Sequence, residues 1–254
     1  MGEDGDMTPS SGPQWVLNGA VDALIAAGRY QEALALPLGF VVRGSRDTAN
    51  ELLVQINLAE AEYNLGRWDD AWDWLRDLDP LAAAFPIARA GLAQQRAWIA
   101  AHTGRPDEAL HWWRRADPGD LPRHYHAEHF FTGAVACIGV ARHDDARRCA
   151  LAGAAAAVRR SSKRNALFIR ARVAAAMGEP ARAESLCREA AAYPYRAQGG
   201  DGLLLWGDLL ARLERPAEAS RAYSLAIERD GQSESARLAA ERLRGAQACA
   251  AGYS

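Results

Sequence analysis

The sequence predicts an all-α fold, an α-solenoid of about six helix–turn–helix repeats closed by a C-terminal capping helix. Three observations carry this expectation. A short pattern recurs six times along the 254 residues, and its closing alanines stand at 33, 71, 109, 146, 183 and 219, so the copies are 36 to 38 residues apart. A fixed period in that range marks stacked supersecondary units. Alanine is very abundant, with Leu and Arg common and Val, Ile, Thr and Phe sparse, a balance that favours helix over sheet. Finally, glycine opens four copies of the recurring pattern and proline stands third in three copies, where helices end and begin.

The pattern is a small residue, a charged residue, an aromatic or proline, two further residues, and alanine. It reads Gly28-Arg-Tyr-Gln-Glu-Ala33, Gly66-Arg-Trp-Asp-Asp-Ala71 and Gly104-Arg-Pro-Asp-Glu-Ala109. Weaker copies are Ala141-Arg-His-Asp-Asp-Ala146, Gly178-Glu-Pro-Ala-Arg-Ala183 and Glu214-Arg-Pro-Ala-Glu-Ala219. Glycine just past a helix takes the left-handed conformation that ends it at low cost. Pro106, Pro180 and Pro216 suit the first turn of the following helix, where a missing N–H is no loss. Each copy is therefore a helix end, a tight turn and a helix start, and its alanine lets two helices approach closely.

The first helices are placed near 14–27, 49–65, 86–103, 124–140, 163–177 and 201–213, and their partners near 30–42, 68–78, 106–116, 143–157, 180–192 and 216–229. Asp79-Pro80, Asp117-Pro118 and Tyr193-Pro194 mark exits, because a residue before proline disfavours helical torsions. Pro37 is expected to break the second helix of the first unit. From Ser233 to Ala248 one face carries Ala236, Ala239, Ala240 and Leu243 and the other Glu234, Arg237 and Glu241, as a capping helix requires. The expected organisation is a disordered tail over 1–13, a repeat array over 14–230, and the capping helix and tail over 231–254. One hairpin cannot bury its own apolar face, so the array forms one cooperative stack, with Tyr30, Trp68 and the Leu and Ala ladders in its core.

The stretch from Leu58 to Ala71, followed by Leu75, Leu78 and Asp79-Pro80, resembles a tetratricopeptide repeat (TPR). So does Ala97 to Gly104 with Ala109, Trp113, Ala116 and Asp117-Pro118. The resemblance extends over roughly 14 to 230. It departs in a period longer than the family's ~34 residues, in Arg96 and Arg170 where a packed apolar residue is usual, and in Glu214 at a turn glycine position. It implies a right-handed superhelix whose first helices line a concave groove for a peptide or protein partner. Carried onto this chain, the groove residues are Asn57, Glu60, Tyr63 and Asn64, then Gln94, Trp98 and His102, then Phe131, Val135 and Ile138, then Phe168 and Arg172, then Asp208 and Arg212. Spacings of three and four keep each set on one helical face. The several Lys and Asn residues with which some members clamp a terminal carboxylate are missing here.

Composition narrows the remaining classes. With 30 basic and 32 acidic side chains, the chain is no obvious ligand for nucleic acid or a membrane surface. The charge is uneven: 11 basic and 19 acidic residues lie in 1–140, and 19 basic and 13 acidic in 141–254. The run Arg159-Arg-Ser-Ser-Lys-Arg164, with Arg147, Arg148, Arg170 and Arg172, is the alternative surface, for an acidic partner or phosphate backbone. Weak head-to-tail self-association between the halves is a further option. His124, His126 and His129 are potential metal ligands, yet Glu128 points away from His126 on a helix, so no metal site and no cofactor is expected. No phosphate loop, nucleophile elbow or H-E-x-x-H is present, which argues against an enzyme. Cys137, Cys149, Cys187 and Cys249 form no C-x-x-C pair, and the acidic amino terminus is not a secretory signal, so a cytoplasmic placement is expected. The leading expectation is a scaffold or adaptor that holds a protein partner.

Overall fold

The computed structural model describes residues 13–36, 48–193 and 200–251. Of the expected tail over 1–13, residues 1–12 lie outside them, as does the break at Pro37, while Pro13 opens a helix. The described residues form thirteen α-helices and no strand. In chain order they are α1 (Pro13–Ala26), α2 (Tyr30–Leu34), α3 (Thr48–Asn64), α4 (Trp68–Ala82), α5 (Pro86–His102), α6 (Pro106–Arg115), α7 (His126–Gly139), α8 (His143–Ala156), α9 (Arg160–Ala176), α10 (Pro180–Ala192), α11 (Gly200–Arg212), α12 (Pro216–Arg229) and α13 (Glu234–Ala251). None of the described helices is long and apolar enough to cross a membrane.

All six signatures fold as the same turn. The N–H of the charged residue returns to the carbonyl five residues back: Arg29 to Leu24, Arg67 to Glu62, Arg105 to Ala100, Arg142 to Cys137, Glu179 to Ala174 and Arg215 to Leu210, at 2.9 to 3.0 Å. That bond satisfies a carbonyl the helix end would leave orphaned, and it requires the preceding residue to be left-handed. Gly28, Gly66, Gly104 and Gly178 have φ of 71° to 81°, and Ala141 and Glu214 adopt the same conformation at 57°. The six closing alanines are buried, with Ala33, Ala71, Ala109, Ala146 and Ala183 at 0% exposure. Several turn arginines also pair with the acid three residues on, as Arg105 does with Glu108 at 3.2 Å and Arg215 with Glu218 at 2.6 Å. These pairs are largely exposed, so solvent screens them and they add little to stability.

Within each unit the two helices pack antiparallel. Between units the first helices stack in order, α1 on α3, α3 on α5, α5 on α7, α7 on α9, α9 on α11 and α11 on α13. They form the inner layer and the second helices the outer one. Four apolar clusters run along the seam between the layers, from Val21, Ile25 and Tyr30 at one end to Leu203, Leu210 and Tyr223 at the other. Close approach depends on absent side chains: a Cβ on Gly133 would meet Trp113 at 2.4 Å, and one on Gly207 would meet Tyr223 at 2.2 Å.

Two expectations need correction. α4 does not stop at Asp79-Pro80 but runs through Pro80 to Ala82. Pro80 lies close to the C-terminal end, so it forfeits one helical bond, and Ala83 N–H still reaches Asp79 O. The helix predicted from 124 starts at His126, because Arg123–Tyr125 form a 3₁₀ turn. Arg96, at a place where a packed apolar residue is usual, is itself packed: it is 2% exposed, bonded to Asp79 at 2.6 Å and to Leu75 O at 3.1 Å, and its guanidinium lies over the Trp72 and Trp112 rings.

α13 caps the array with Ala236 and Ala239, both buried, as expected. Its other contacts were not expected. Tyr30 Oη donates to Asp230 Oδ1 at 3.0 Å across 200 residues, and Trp68 Nε1 donates to Glu234 Oε2 at 2.5 Å across 166. Gly28 and Gly66 sit so close to Asp230 and Glu234 that a Cβ on either would be crowded at 3.2 and 3.1 Å. The superhelix bends far enough for its last turn to touch its first, and the concave groove becomes the inside of a ring.

Candidate functional site

The ring encloses a cavity of about 230 Å³. Its wall is built by equivalent faces of successive inner helices. α3 contributes Glu60, Tyr63 and Asn64; α5 contributes Gln94, Gln95 and Trp98; α7 contributes Glu128, Phe131 and Thr132. α9 follows with Arg164, Asn165, Phe168 and Arg172, α11 with Asp201 and Leu205, and α13 with Glu234 and Ser235. The i, i+3, i+4 spacing on each helix is the reason they face the same way.

One side of the cavity is aromatic. Tyr63 stacks on Trp68 with centroids 5.5 Å apart and planes 8° apart, and Trp68 stacks on His102 at 5.8 Å and 4°. Trp98 lies over the same imidazole at 4.2 Å. His102 Nδ1 is 2.9 Å from Trp98 O, so it carries the proton and donates. Nε2 then accepts from Arg172 Nη1 at 3.0 Å. Burial, reinforced by the Arg172 charge, pushes the His102 imidazole down to about 4, which keeps it neutral in that role.

The opposite character dominates elsewhere. Burial, with Asp22 and Glu128 nearby, pushes the Glu60 carboxyl up to about 7. Burial likewise raises Glu128 and Asp230 above the usual carboxylate range. Asp230 and Glu234 receive the hydrogen bonds of Tyr30 and Trp68, and Asp201 receives that of Ser235. The three carboxylates brought by the C-terminal end are thereby matched inside the chain.

Eight of the fourteen groove residues expected from the sequence come together on this wall: Glu60, Tyr63, Asn64, Gln94, Trp98, Phe131, Phe168 and Arg172. His102 adjoins them through Trp98 and Arg172. Phe131 and Phe168 are 3% and 7% exposed and also press on Gly153 and Gly202, so they pack between repeats while touching the cavity. The other five lie off the wall. Asn57 is engaged with Asp22 at 2.7 Å and Asn18 at 3.0 Å, which ties α3 to α1. Val135 and Ile138 belong to the core between α7 and its neighbours. Asp208 accepts from Tyr223 Oη at 2.9 Å, and Arg212 is exposed at the end of α11. The sets chosen on α7 and α11 ran too far toward the C-terminal ends of those helices.

Sequence reasoning missed Tyr30, Trp68, Asp201, Asp230, Glu234 and Ser235. Tyr30 and Trp68 occupy the aromatic position of the turn signature and were assigned to the core. Tyr30 is 1% exposed, yet its hydroxyl serves the ring closure; Trp68 is only half-buried and lines the cavity. The others had no local signal. The basic run also divides: Arg164 is 1% exposed and lines the cavity, whereas Arg160 is exposed outside. His124, His126 and His129 face separate partners, Tyr125, Leu121 O and Trp113 respectively, and no group of three potential ligands is placed to hold a metal among the described residues.

No protein-family model matches the chain, and no curated protein matches it. Among solved structures it resembles the crystal structure of PilW, described as a widely conserved type IV pilus biogenesis factor. The TM-score is 0.54 at 17% identity, over 89% of this chain and 97% of that one. Likeness at that level of identity carries the fold, an all-helical repeat array, and not the activity.

Proposed function

We propose that the chain is a TPR-type interaction module that holds a protein partner against the inner wall of the ring, as a scaffold and not as an enzyme. The observation that carries this reading is the wall itself. Six successive inner helices turn aromatic rings, amides and charges toward one shared cavity, where an array built for stability alone would bury aliphatic side chains. Asn64, Gln95 and Asn165 add adaptable donors and acceptors beside the rings of Trp98 and Trp68, the mixture found at recognition surfaces. The likeness to a pilus biogenesis factor supports a role in assembling or supporting a multiprotein machine, and type IV pilus biogenesis is the first setting in which to look for the partner.

The test is a binding measurement with the purified partner. Affinity capture from the native source identifies candidates, and titration calorimetry then compares the parent chain with Asn64→Trp. Asn64 lies on the cavity wall without being part of the apolar core, so the larger side chain fills the hollow and leaves the hairpins intact. A loss of affinity of about ten-fold or more is expected; an unchanged affinity for every captured protein would place the interface elsewhere on the molecule.

A further inference from the structure

Five carboxylates line the cavity against two guanidiniums. Three of the five are satisfied within the chain by Tyr30, Trp68 and Ser235. Glu60 and Glu128 are matched only in part. Among the described residues Glu60 receives one long hydrogen bond, from Gln95 Nε2 at 3.4 Å. Glu128 Oε1 accepts from Ser162 Oγ at 2.6 Å, while its buried Oε2 has no donor. A third acceptor lies beside them on an independent side chain. Gln94, 8% exposed and on the cavity wall, has its buried Oε1 without a hydrogen-bond donor.

A buried acceptor with no donor costs about 1–3 kcal/mol, more when charged. Two of them on adjoining helices α5 and α7, beside the weakly bonded carboxylate of Glu60 on α3, therefore favour a guest that donates in several directions and carries positive charge. The remaining walls supply the faces of aromatic rings, to which such a cation is attracted. An anion would meet Glu60 and Glu128 and be repelled. An ammonium is a point donor, whereas a guanidinium is a flat fork of five N–H groups that can serve separated acceptors and lie on a ring at once. The cavity volume, about 230 Å³, admits such a group but not a folded segment. Asp201, exposed at its edge, leaves a negative rim for the cation to pass.

We propose that the cavity is the pocket for an arginine side chain of the bound protein, its guanidinium held by Glu60, Glu128 and Gln94 against the aromatic wall. The proposal rests on the inner wall being the partner-binding face. It specifies the chemistry of the residue that anchors the partner there.

The probe is the capped tripeptide acetyl-Gly-Arg-Gly-amide, titrated calorimetrically into the full chain at pH 8. Its citrulline counterpart has nearly the same shape without the charge. Arginine is expected to bind about ten-fold tighter than citrulline, and the ratio is expected to approach one in the chain carrying both Glu60→Gln and Glu128→Gln. Circular dichroism and melting of that variant establish that it is folded, and the single Gln94→Leu variant gives a second reading that leaves both carboxylates in place. Equal binding of the two tripeptides, or no saturable arginine binding at about 10 mM, overturns the proposal. If the identified partner is lost in Asn64→Trp while the arginine probe does not bind, the pocket assignment fails and the inner wall stands. If the probe binds but the partner ignores Asn64→Trp, the cation enters from solution and not from the partner, and the proposal fails with the reading it rests on.

Discussion

At the scale of single residues, burial decides what a charge does. Arg96 and Arg164 sit at 2% and 1% exposure in a chain whose other arginines mostly decorate turns. Arg96 is held by Asp79, a carbonyl and two indoles, at a position where the repeat usually packs an apolar side chain. Glu60 shows the same effect through its proton. The folded chain pushes its carboxyl up to about 7, from 4.5 when exposed. The folded state thus binds that proton more tightly, so Glu60 has no effect on stability at low pH and increasingly destabilises the fold as pH rises from about 4.5 to 7. Glu60→Gln is expected to melt with the parent near pH 4.5 and to exceed it by roughly 1–3 kcal/mol at pH 8. His102 acts in the opposite sense, since its neutral form is favoured and acid weakens the fold, but it is common to both proteins and cancels in the difference. Melting curves across that range check the sign; a difference that does not grow with pH would mean Glu60 is not held as described.

At the scale of elements, the turn signature is legible because its causes are local. A left-handed residue, a returning N–H and a helix start all lie within six positions, so spacing alone revealed them. Glu214 is the informative exception. It replaces glycine yet takes φ 57°, since the hairpin around it enforces the same turn. Left-handed torsions cost a side-chain-bearing residue about 1 kcal/mol or more, so Glu214→Gly is expected to stabilise the chain by roughly 0.5–1 kcal/mol, measured by denaturant unfolding. Gly207 is the reverse case. Alanine is the better helix former, yet its methyl would stand 2.2 Å from the Tyr223 ring. Gly207→Ala is therefore expected to destabilise by about 1–3 kcal/mol through forced separation of α11 and α12. A gain in stability there would show that the helices are farther apart. The helix through Pro80 was misread for the same local reason: proline near a C-terminus removes one bond, which continued packing of Ala82 can offset.

At the scale of the whole molecule, the consequence is closure. Tyr30 to Asp230 and Trp68 to Glu234 join units that are 200 and 166 residues apart in sequence. Tyr30→Phe with Trp68→Phe keeps an aromatic ring at both positions and removes both donors. Each loss is expected to cost about 1–3 kcal/mol because a carboxylate is left short of a donor. Small-angle scattering of the double variant is expected to show a larger radius of gyration and a more extended particle than the parent. An unchanged profile would show that the apolar contacts of α13 hold the ring without them.

The hairpins and their order were written in short-range spacing, and the TPR resemblance pointed to the first helices as the inner ones, so the helical repeat array and part of its wall could be read before any coordinates. The partners of Asp201, Asp230 and Glu234 could not. Whether the two ends meet depends on small rotations accumulated over six hairpin interfaces, each set by how closely particular side chains pack, and no window of sequence contains that sum. Tertiary packing alone therefore decided that the groove is a ring and that Glu128 joins Glu60 and Gln94 on its inner wall with acceptors to spare.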